Sequence, residues 1–158
     1  MTPLAHVENA APLWAGLVFA VGQDLRSRRI GNGLNAAIVV AGLAMWAAGG
    51  GWHGLLLSGA GLVACTAIGV LVFSRGWLGA GDTKLLAAVG AWVGLPLVPV
   101  LVLSTAVAGG VVSLGTLALA GEASAKRGDI LARPRAAQVP YALAIAAGAA
   151  VTAIMGGT

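Results

Sequence analysis

Two aspartates lie beside apolar segments of this chain. Asp24 follows the apolar residues 10–22, and Asp82 lies in the sequence Gly-Ala-Gly-Asp-Thr-Lys-Leu of residues 79–85, directly ahead of another apolar segment. Paired carboxylates can hydrolyse an amide when one is ionised and takes a proton from water while the other is protonated and polarises the carbonyl. Because two neighbouring carboxylates cannot both ionise cheaply, proximity produces this state. An ionisable group beside hydrocarbon costs about 2.5 kcal/mol or more, so we expect both aspartates to have a function.

The composition excludes a water-soluble domain of ordinary kind. Of the 158 residues, 59% are hydrophobic and only 9% are charged, whereas soluble domains carry about 25% charged residues. We therefore predict one all-α, polytopic membrane domain over residues 1–158. No Lys or Arg precedes the first apolar segment, so that segment lacks the basic region of a cleaved signal peptide and is expected to remain in the mature protein.

Six apolar segments could form membrane helices, each near or somewhat below the roughly 20 residues that span a bilayer. We expect the fourth segment to be the least regular, because Pro96 and Pro99 indicate either a turn between two helices or kinks within a broken one. The segments are residues 10–22, 34–52, 55–73, 85–95, 97–120 and 139–155.

The positive charges indicate an orientation. All nine Lys and Arg residues fall in the first, third and fifth connections, and the other two connections and both termini have none. Since cytoplasmic loops of membrane proteins are enriched in Lys and Arg, the odd connections should face the cytoplasm and both termini the outside. The nine are Arg26, Arg28, Arg29, Arg75, Lys84, Lys126, Arg127, Arg133 and Arg135.

This orientation brings the aspartates to one side. Asp24 opens the first connection and Asp82 closes the third, with two membrane passes between them. Both carboxylates should therefore lie at the cytoplasmic face; an odd number of passes would have separated them by about 30 Å of hydrocarbon. Gly79 and Gly81 have no side chains to block a substrate backbone, and glycine permits backbone angles that other residues avoid.

Structural roles for the same residues stay open. Asp82 could cap a helix beginning near Thr83, and Asp24 could pair with Arg26 or Arg28. Lys84 could lower the pKa of Asp82 or anchor its helix by extending towards the membrane surface. The five tryptophans fall mostly near segment ends, as interfacial anchors do. They are Trp14, Trp46, Trp52, Trp77 and Trp92.

Other classes of function have less support in the sequence. A small transporter or proton-relay component could use the same carboxylates, but the centres of the apolar segments contain few polar residues. The basic residues form short clusters and not one broad patch, so nucleic acid is not an expected partner. The only cysteine, Cys65, lies in an apolar run, and no His, Cys and carboxylate cluster has metal-ligand spacing. We predict no metal and no cofactor.

The sequence around both aspartates resembles the two signatures of the type IV prepilin peptidases, the GxGD-type intramembrane aspartyl proteases. These are residues 24–32, Asp-Leu-Arg-Ser-Arg-Arg-Ile-Gly-Asn, and residues 79–85. The Pro140-Tyr141 pair that opens the last segment resembles a further element of that family. The resemblance implies that Asp24 and Asp82 are catalytic and that Asn32, Gly79, Gly81, Lys84, Pro140 and Tyr141 support the site.

The resemblance also implies a substrate. Larger relatives have a cytoplasmic methyltransferase region with paired Cys-x-x-Cys motifs after the first helix; here that connection is only a few residues long. The chain is thus similar to the short, peptidase-only branch that serves Flp or Tad-type pili, and methylation is not expected. The implied partners are membrane lipid and a prepilin with a basic leader and a hydrophobic helix, cut at the cytoplasmic face of the inner membrane. One departure is Gly31, where many relatives have proline.

Overall fold

The computed structural model describes residues 11–27, 31–127 and 141–157, and these ranges contain helices and turns but no strand. The all-α prediction is confirmed for them. The helices are α1 (Ala11–Ser27), α2 (Asn32–Ser74), α3 (Ala80–Val93), α4 (Val98–Arg127) and α5 (Tyr141–Gly157), with a short 3₁₀ turn at Leu95–Leu97.

Helix α2 is a hairpin of two arms, residues 32–50 and residues 52–74. The backbone leaves helical geometry at Gly51, where φ is 57° and ψ is −139°, a conformation that glycine adopts readily. Asn35 and Val70 line one cleft, although an unbroken helix would separate them by roughly 50 Å. The predicted segments 34–52 and 55–73 therefore pack side by side, and the chain has six helical arms in all within its described part.

The proline-containing region is a turn between two helices. Helix α3 ends at Val93, Gly94 has φ 69°, and Pro96 lies in the 3₁₀ turn that leads into α4. Proline suits this position because the first residues of a helix have no intrahelical partner for a backbone N–H. The predicted limits were displaced at three helices: α1 continues beyond residue 22 to Ser27, α3 begins at Ala80 and not at residue 85, and α4 continues beyond residue 120 to Arg127. Asp24 and Arg26 therefore lie in α1 and not in a loop. Lys126 and Arg127 thus belong to a helix and not to a loop.

The surface of the bundle is apolar, as a lipid-facing surface is. Side chains such as Val18, Leu103 and Ile154 are exposed, whereas Leu85 and Ile145 are fully buried in the core. Among the described residues, Asn32–Ser74 and Leu95–Thr116 are long and apolar enough to cross a membrane, and Tyr141–Met155 is a shorter apolar helix. Six membrane passes and outward termini remain predictions.

One end of the bundle, which we call the tryptophan end, is held by buried hydrogen bonds. Trp46 Nε1 donates to the carbonyl of Trp92 at 2.7 Å, and Trp92 Nε1 donates to the carbonyl of Ile38 at 2.7 Å. Ser58 Oγ donates to the carbonyl of Ala91 at 2.6 Å. The interfacial prediction is therefore wrong for Trp46 and Trp92, which are 5% and 4% exposed, because each indole N–H finds a backbone partner inside the bundle.

Glycines bring α3 against the second arm of α2. A methyl group at Gly61 would collide with the backbone carbonyl of Gly90, and one at Gly90 would lie 2.6 Å from Cys65 Sγ. Cys65 is fully buried and acts as a small packing residue in this contact. This close approach fixes α3, whose first turn carries Asp82.

Candidate active site

Asp82 lies in the first turn of α3, two residues after the helix begins. The N-cap is Gly79, with φ −76° and ψ 153° and no side-chain cap, so the alternative that Asp82 is itself the N-cap is wrong. A hydrogen bond with the Gly79 backbone stabilises the Asp82 carboxylate, as the third helical residue does in a capping box. Asp82 is therefore not the N-cap, but its carboxylate does bond to the N-cap residue at the start of α3.

Gly79 is needed for space and not for backbone angle. Its φ of −76° is available to any residue, so the expectation of an unusual backbone angle is wrong here. A methyl group on Gly79 would lie 2.8 Å from Asp82 Oδ2. Glycine at this position keeps one side of the carboxylate open.

The geometry of the bundle places Asp24 at the level of Asp82. Leu13, near the start of α1, and Trp92, near the end of α3, line one small cavity. Asp24 is eleven residues after Leu13 and Asp82 is ten residues before Trp92, or roughly 16 Å and 15 Å along the helices. Both aspartates therefore lie at the end of the bundle opposite the tryptophan end, which we call the aspartate end.

The Asp82 carboxyl has a perturbed pKa. Asp82 lies ahead of the apolar part of α3 and outside the candidate membrane spans. Burial and, to a smaller extent, the negative charge of Asp24 raise its pKa to about 6, and the hydrogen bond with the Gly79 backbone opposes both. The Asp24 effect agrees with the placement of both aspartates at the same end of the bundle. Such a group can hold or release a proton near neutral pH.

Hydrogen bonds hold the helix ends around the aspartates. The Gly31 N–H donates to Gln23 Oε1 at 3.0 Å, which ties the end of α1 to the start of α2. Thr83 Oγ1 contacts the carbonyl of Gly69 at 3.4 Å and donates to that of Gly79 at 3.0 Å. The contact of Thr83 with Gly69 ties the start of α3 to the second arm of α2.

Two of the predicted supporting residues bond to each other. Lys84 Nζ donates to Asn32 Oδ1 at 2.8 Å, so the two sequence signatures meet in space. Lys84 is exposed and makes no contribution to the raised pKa of Asp82; the option that it lowers that pKa is therefore wrong. Its ammonium group instead links the starts of α2 and α3.

The remaining predicted residues lie in different places. Gly81 is half-buried in the first turn of α3. The Tyr141 ring packs against Gly109 of α4 and so joins the start of α5 to α4. Pro140 lies outside the described residues, as do Arg28, Arg29, Arg133 and Arg135. Among the residues described, no three His, Cys, Asp or Glu side chains come together as metal ligands do.

Asn35 is a buried polar residue that the sequence reading missed. It is 5% exposed, and neither its Nδ2 nor its Oδ1 has a hydrogen-bond partner among the described residues. Its side chain lines a cleft of about 540 Å³ between the two arms of α2 and the start of α3. The signal available in the sequence was a second asparagine, one turn after Asn32, inside an otherwise apolar segment.

Comparison with known proteins gives one match. The model of the type IV leader peptidase family matches residues 12–114, which contain both aspartates and well over half of the chain. A search of curated proteins and a search of solved structures return no match. The match and the resemblance of the two signatures agree, and the chain belongs to the type IV leader peptidase family, a family of peptidases.

Proposed function

We propose that this protein is an aspartyl endopeptidase that removes the basic leader of an Flp-type prepilin, with Asp24 and Asp82 as its catalytic pair. The observation that carries the proposal is the placement of Asp24 and Asp82 at the same end of the bundle, and the effect of the Asp24 charge on the pKa of Asp82 supports it. The helix geometry thus supports a shared site for two carboxylates that are far apart in sequence. Membership of the leader peptidase family supports the class of substrate.

The pair performs hydrolysis by sharing one proton. We assign that proton to Asp82, because burial disfavours its charged form. Ionised Asp24 takes a proton from water as the water oxygen attacks the scissile carbonyl, and Asp82 donates its hydrogen bond to the carbonyl oxygen. The tetrahedral intermediate then collapses, the C–N bond breaks, and the amine leaves with the proton taken from water.

The membrane orientation supports cleavage at the cytoplasmic face of the inner membrane. The basic residues of the first and third connections flank the aspartates in sequence, and such residues face the cytoplasm in multi-pass proteins. The two arms of α2 lie between Asp24 and Asp82 in the chain, which agrees with the even number of passes that the orientation requires. A leader entering from the cytoplasm would meet the pair without crossing hydrocarbon.

The short connection between α1 and α2 supports the Flp-type substrate. Only the residues between Ser27 and Asn32 separate the two helices, so no domain is inserted where larger relatives carry the methyltransferase region. The proposed reaction is cleavage without methylation of the new amino terminus.

The test is processing of a co-expressed Flp-type prepilin by Asp24→Asn and Asp82→Asn variants. Losing either carboxyl removes a general acid or base, so cleavage should fall by about 10²- to 10⁴-fold. Asp129→Asn makes the same chemical change outside both signatures and serves as the control, with cleavage unchanged. Normal processing by either Asp24→Asn or Asp82→Asn would overturn the proposal.

A further inference from the structure

The cleft beside Asn35 has the volume and the lining of a ligand-binding site. Its volume of about 540 Å³ lies within the range of ligand-binding sites, about 300–1,000 Å³. Its walls are largely apolar, with Val39, Val70 and Phe73 among them, and the exposed Lys84 stands at its edge. At its buried side lies the Asn35 carboxamide, without a partner for its donor or its acceptor.

The unpaired carboxamide of Asn35 indicates which chemical groups a ligand of this cleft would offer. A buried polar group without a hydrogen bond is costly, so native proteins seldom retain one that has no partner in the working state. The carboxamide offers an N–H donor and a C=O acceptor side by side. A peptide group presents the complementary pair, whereas an acyl chain presents neither.

The cleft faces away from Asp82. Its lining residues on α3 are Ala80, Thr83, Lys84 and Ala87, which share one helix face by their spacing. Asp82 lies two residues from Ala80, or roughly 200° around the helix. A ligand in the cleft therefore cannot touch the carboxylates directly, and a peptide must pass around the start of α3 to reach both.

The start of α3 offers such a passage. Gly79 and Ala80 are exposed and small, and Gly81 is half-buried, so no large side chain obstructs the backbone there. A helix is about 10 Å across and an extended peptide advances about 3.3 Å per residue, so about three to five residues would bridge the two places.

We infer that this cleft binds the apolar segment of the substrate, about three to five residues from the scissile bond on its carboxyl-terminal side, with the Asn35 carboxamide hydrogen-bonded to its backbone. The inference rests on the proposed function. The lining of the cleft indicates which side of the scissile bond it binds. The positive charge of Lys84 repels a basic leader, whereas the apolar walls fit the hydrophobic segment that follows the cleavage site.

Asn35→Leu tests the carboxamide, because it removes both unpaired atoms while nearly preserving the side chain's size. If Asn35 serves substrate binding, KM should rise about 10-fold with kcat nearly unchanged, since a lost hydrogen bond leaves the substrate's peptide group unpaired. The melting temperature of the free enzyme should stay the same or increase. A lower melting temperature with an unchanged KM would mean a structural role and would overturn the inference.

Val70 and Leu71 provide a matched pair for the cleft itself. They are 52% and 53% exposed and adjacent in sequence, but only Val70 lines the cleft. Val70→Trp should fill the cleft and raise KM at least as much as Asn35→Leu, whereas Leu71→Trp should leave KM unchanged. Equal KM values for the two tryptophan variants would overturn the inference.

Crosslinking gives a readout independent of the stability of these variants. A photoreactive residue is placed at position 70 or at position 71 of the Asp82→Asn variant. Only position 70 should yield an adduct with prepilin, and the crosslinked prepilin residue should lie on the carboxyl-terminal side of the cleavage site. An adduct with phospholipid alone at position 70 would assign the cleft to lipid and overturn the inference. If the wild-type enzyme fails to cleave prepilin, the proposed function is wrong. If the wild-type enzyme cleaves normally and KM is unaltered in Asn35→Leu and Val70→Trp, only the inference is wrong.

Discussion

The two ends of the bundle differ in how their polar groups are satisfied. At the tryptophan end, the Trp46, Trp92 and Ser58 side chains all donate to buried backbone carbonyls, at 2.6 to 2.7 Å. At the aspartate end, Asp82 carries a raised pKa and Asn35 has no partner. The buried hydrogen bonds of the tryptophan end contribute stability, whereas the raised pKa of Asp82 and the unpaired amide of Asn35 at the aspartate end have a cost in stability. Substitutions at the two ends should therefore have different effects.

The largest effect should come from Gly61→Ala in the second arm of α2. The added methyl group would meet the carbonyl of Gly90 and the backbone of Gly94, neither of which can rotate away. Overpacking of this kind costs about 1–3 kcal/mol, and more when the obstructing atoms are backbone. We expect a strongly lowered melting temperature and little folded protein in detergent. Gly59→Ala, with nothing within 4 Å, should leave the melting temperature unchanged or raised.

Gly79→Ala should damage activity while sparing the fold. Its methyl group would press on Asp82 Oδ2, and a displacement of about 1 Å at a catalytic group can cost about 10²-fold in rate. Prepilin cleavage should fall by that order with the melting temperature nearly unchanged. Gly33→Ala is the control at the same end, since nothing lies within 4 Å of it. Equal cleavage by the two variants would contradict the placement of Gly79 against the carboxylate.

Trp92→Phe should destabilise the protein by about 1–3 kcal/mol, because it removes a buried hydrogen bond to the Ile38 carbonyl together with part of a buried ring. Trp77→Phe is matched in chemistry but is 68% exposed, so its effect should stay within about 0.5 kcal/mol. Thermal unfolding in detergent measures both. A similar loss in the two variants would show that the buried hydrogen bonds do not distinguish the tryptophan end.

The smallest effect is a pH-dependent stabilisation by Asp82→Asn. The raised pKa means that the folded state, relative to the unfolded state, is penalised once Asp82 is ionised, so wild-type stability declines as the pH rises from about 4 through about 6. The advantage of the variant should be absent below pH 4, grow to about 1 kcal/mol after solvent screening, and level off above about pH 6. Melting temperatures across this range test the sign.

Asp24→Asn sharpens the same measurement. Without the neighbouring charge the pKa of Asp82 should fall, so the decline in stability should move to lower pH in that variant. An unmoved transition would mean that the two carboxylates do not interact.

The sequence predicted the helices better than their limits. Apolar length located all six helical arms, because a bilayer-sized apolar run has few other structures available. It did not locate the start of α3 at Ala80, since residues 79–84 include two glycines and the polar side chains of Asp82, Thr83 and Lys84, and only the backbone shows where helical geometry begins. The end of α4 was missed for the same reason.

The candidate site was partly predictable. The spacing of charges placed Asp24 and Asp82 on one side, and the structure brings them within electrostatic reach. Asn35 escaped notice because an unpaired buried amide is a property of packing, which no single sequence displays. Trp46 and Trp92 were misplaced at the membrane interface because proximity to a segment end does not reveal whether a neighbouring helix covers the ring.

The contact between Gly61 and Gly90 has a thermodynamic consequence for the helix that carries Asp82. Docking normally immobilises side chains, and each long one loses up to about 2 kcal/mol of rotamer freedom. Glycine has no rotamers to lose, so the second arm of α2 and α3 meet backbone to backbone without that entropic penalty. The close contact of α3 with α2 is thus obtained from the absence of side chains, and warming cannot loosen it by exciting alternative rotamers of the two glycines.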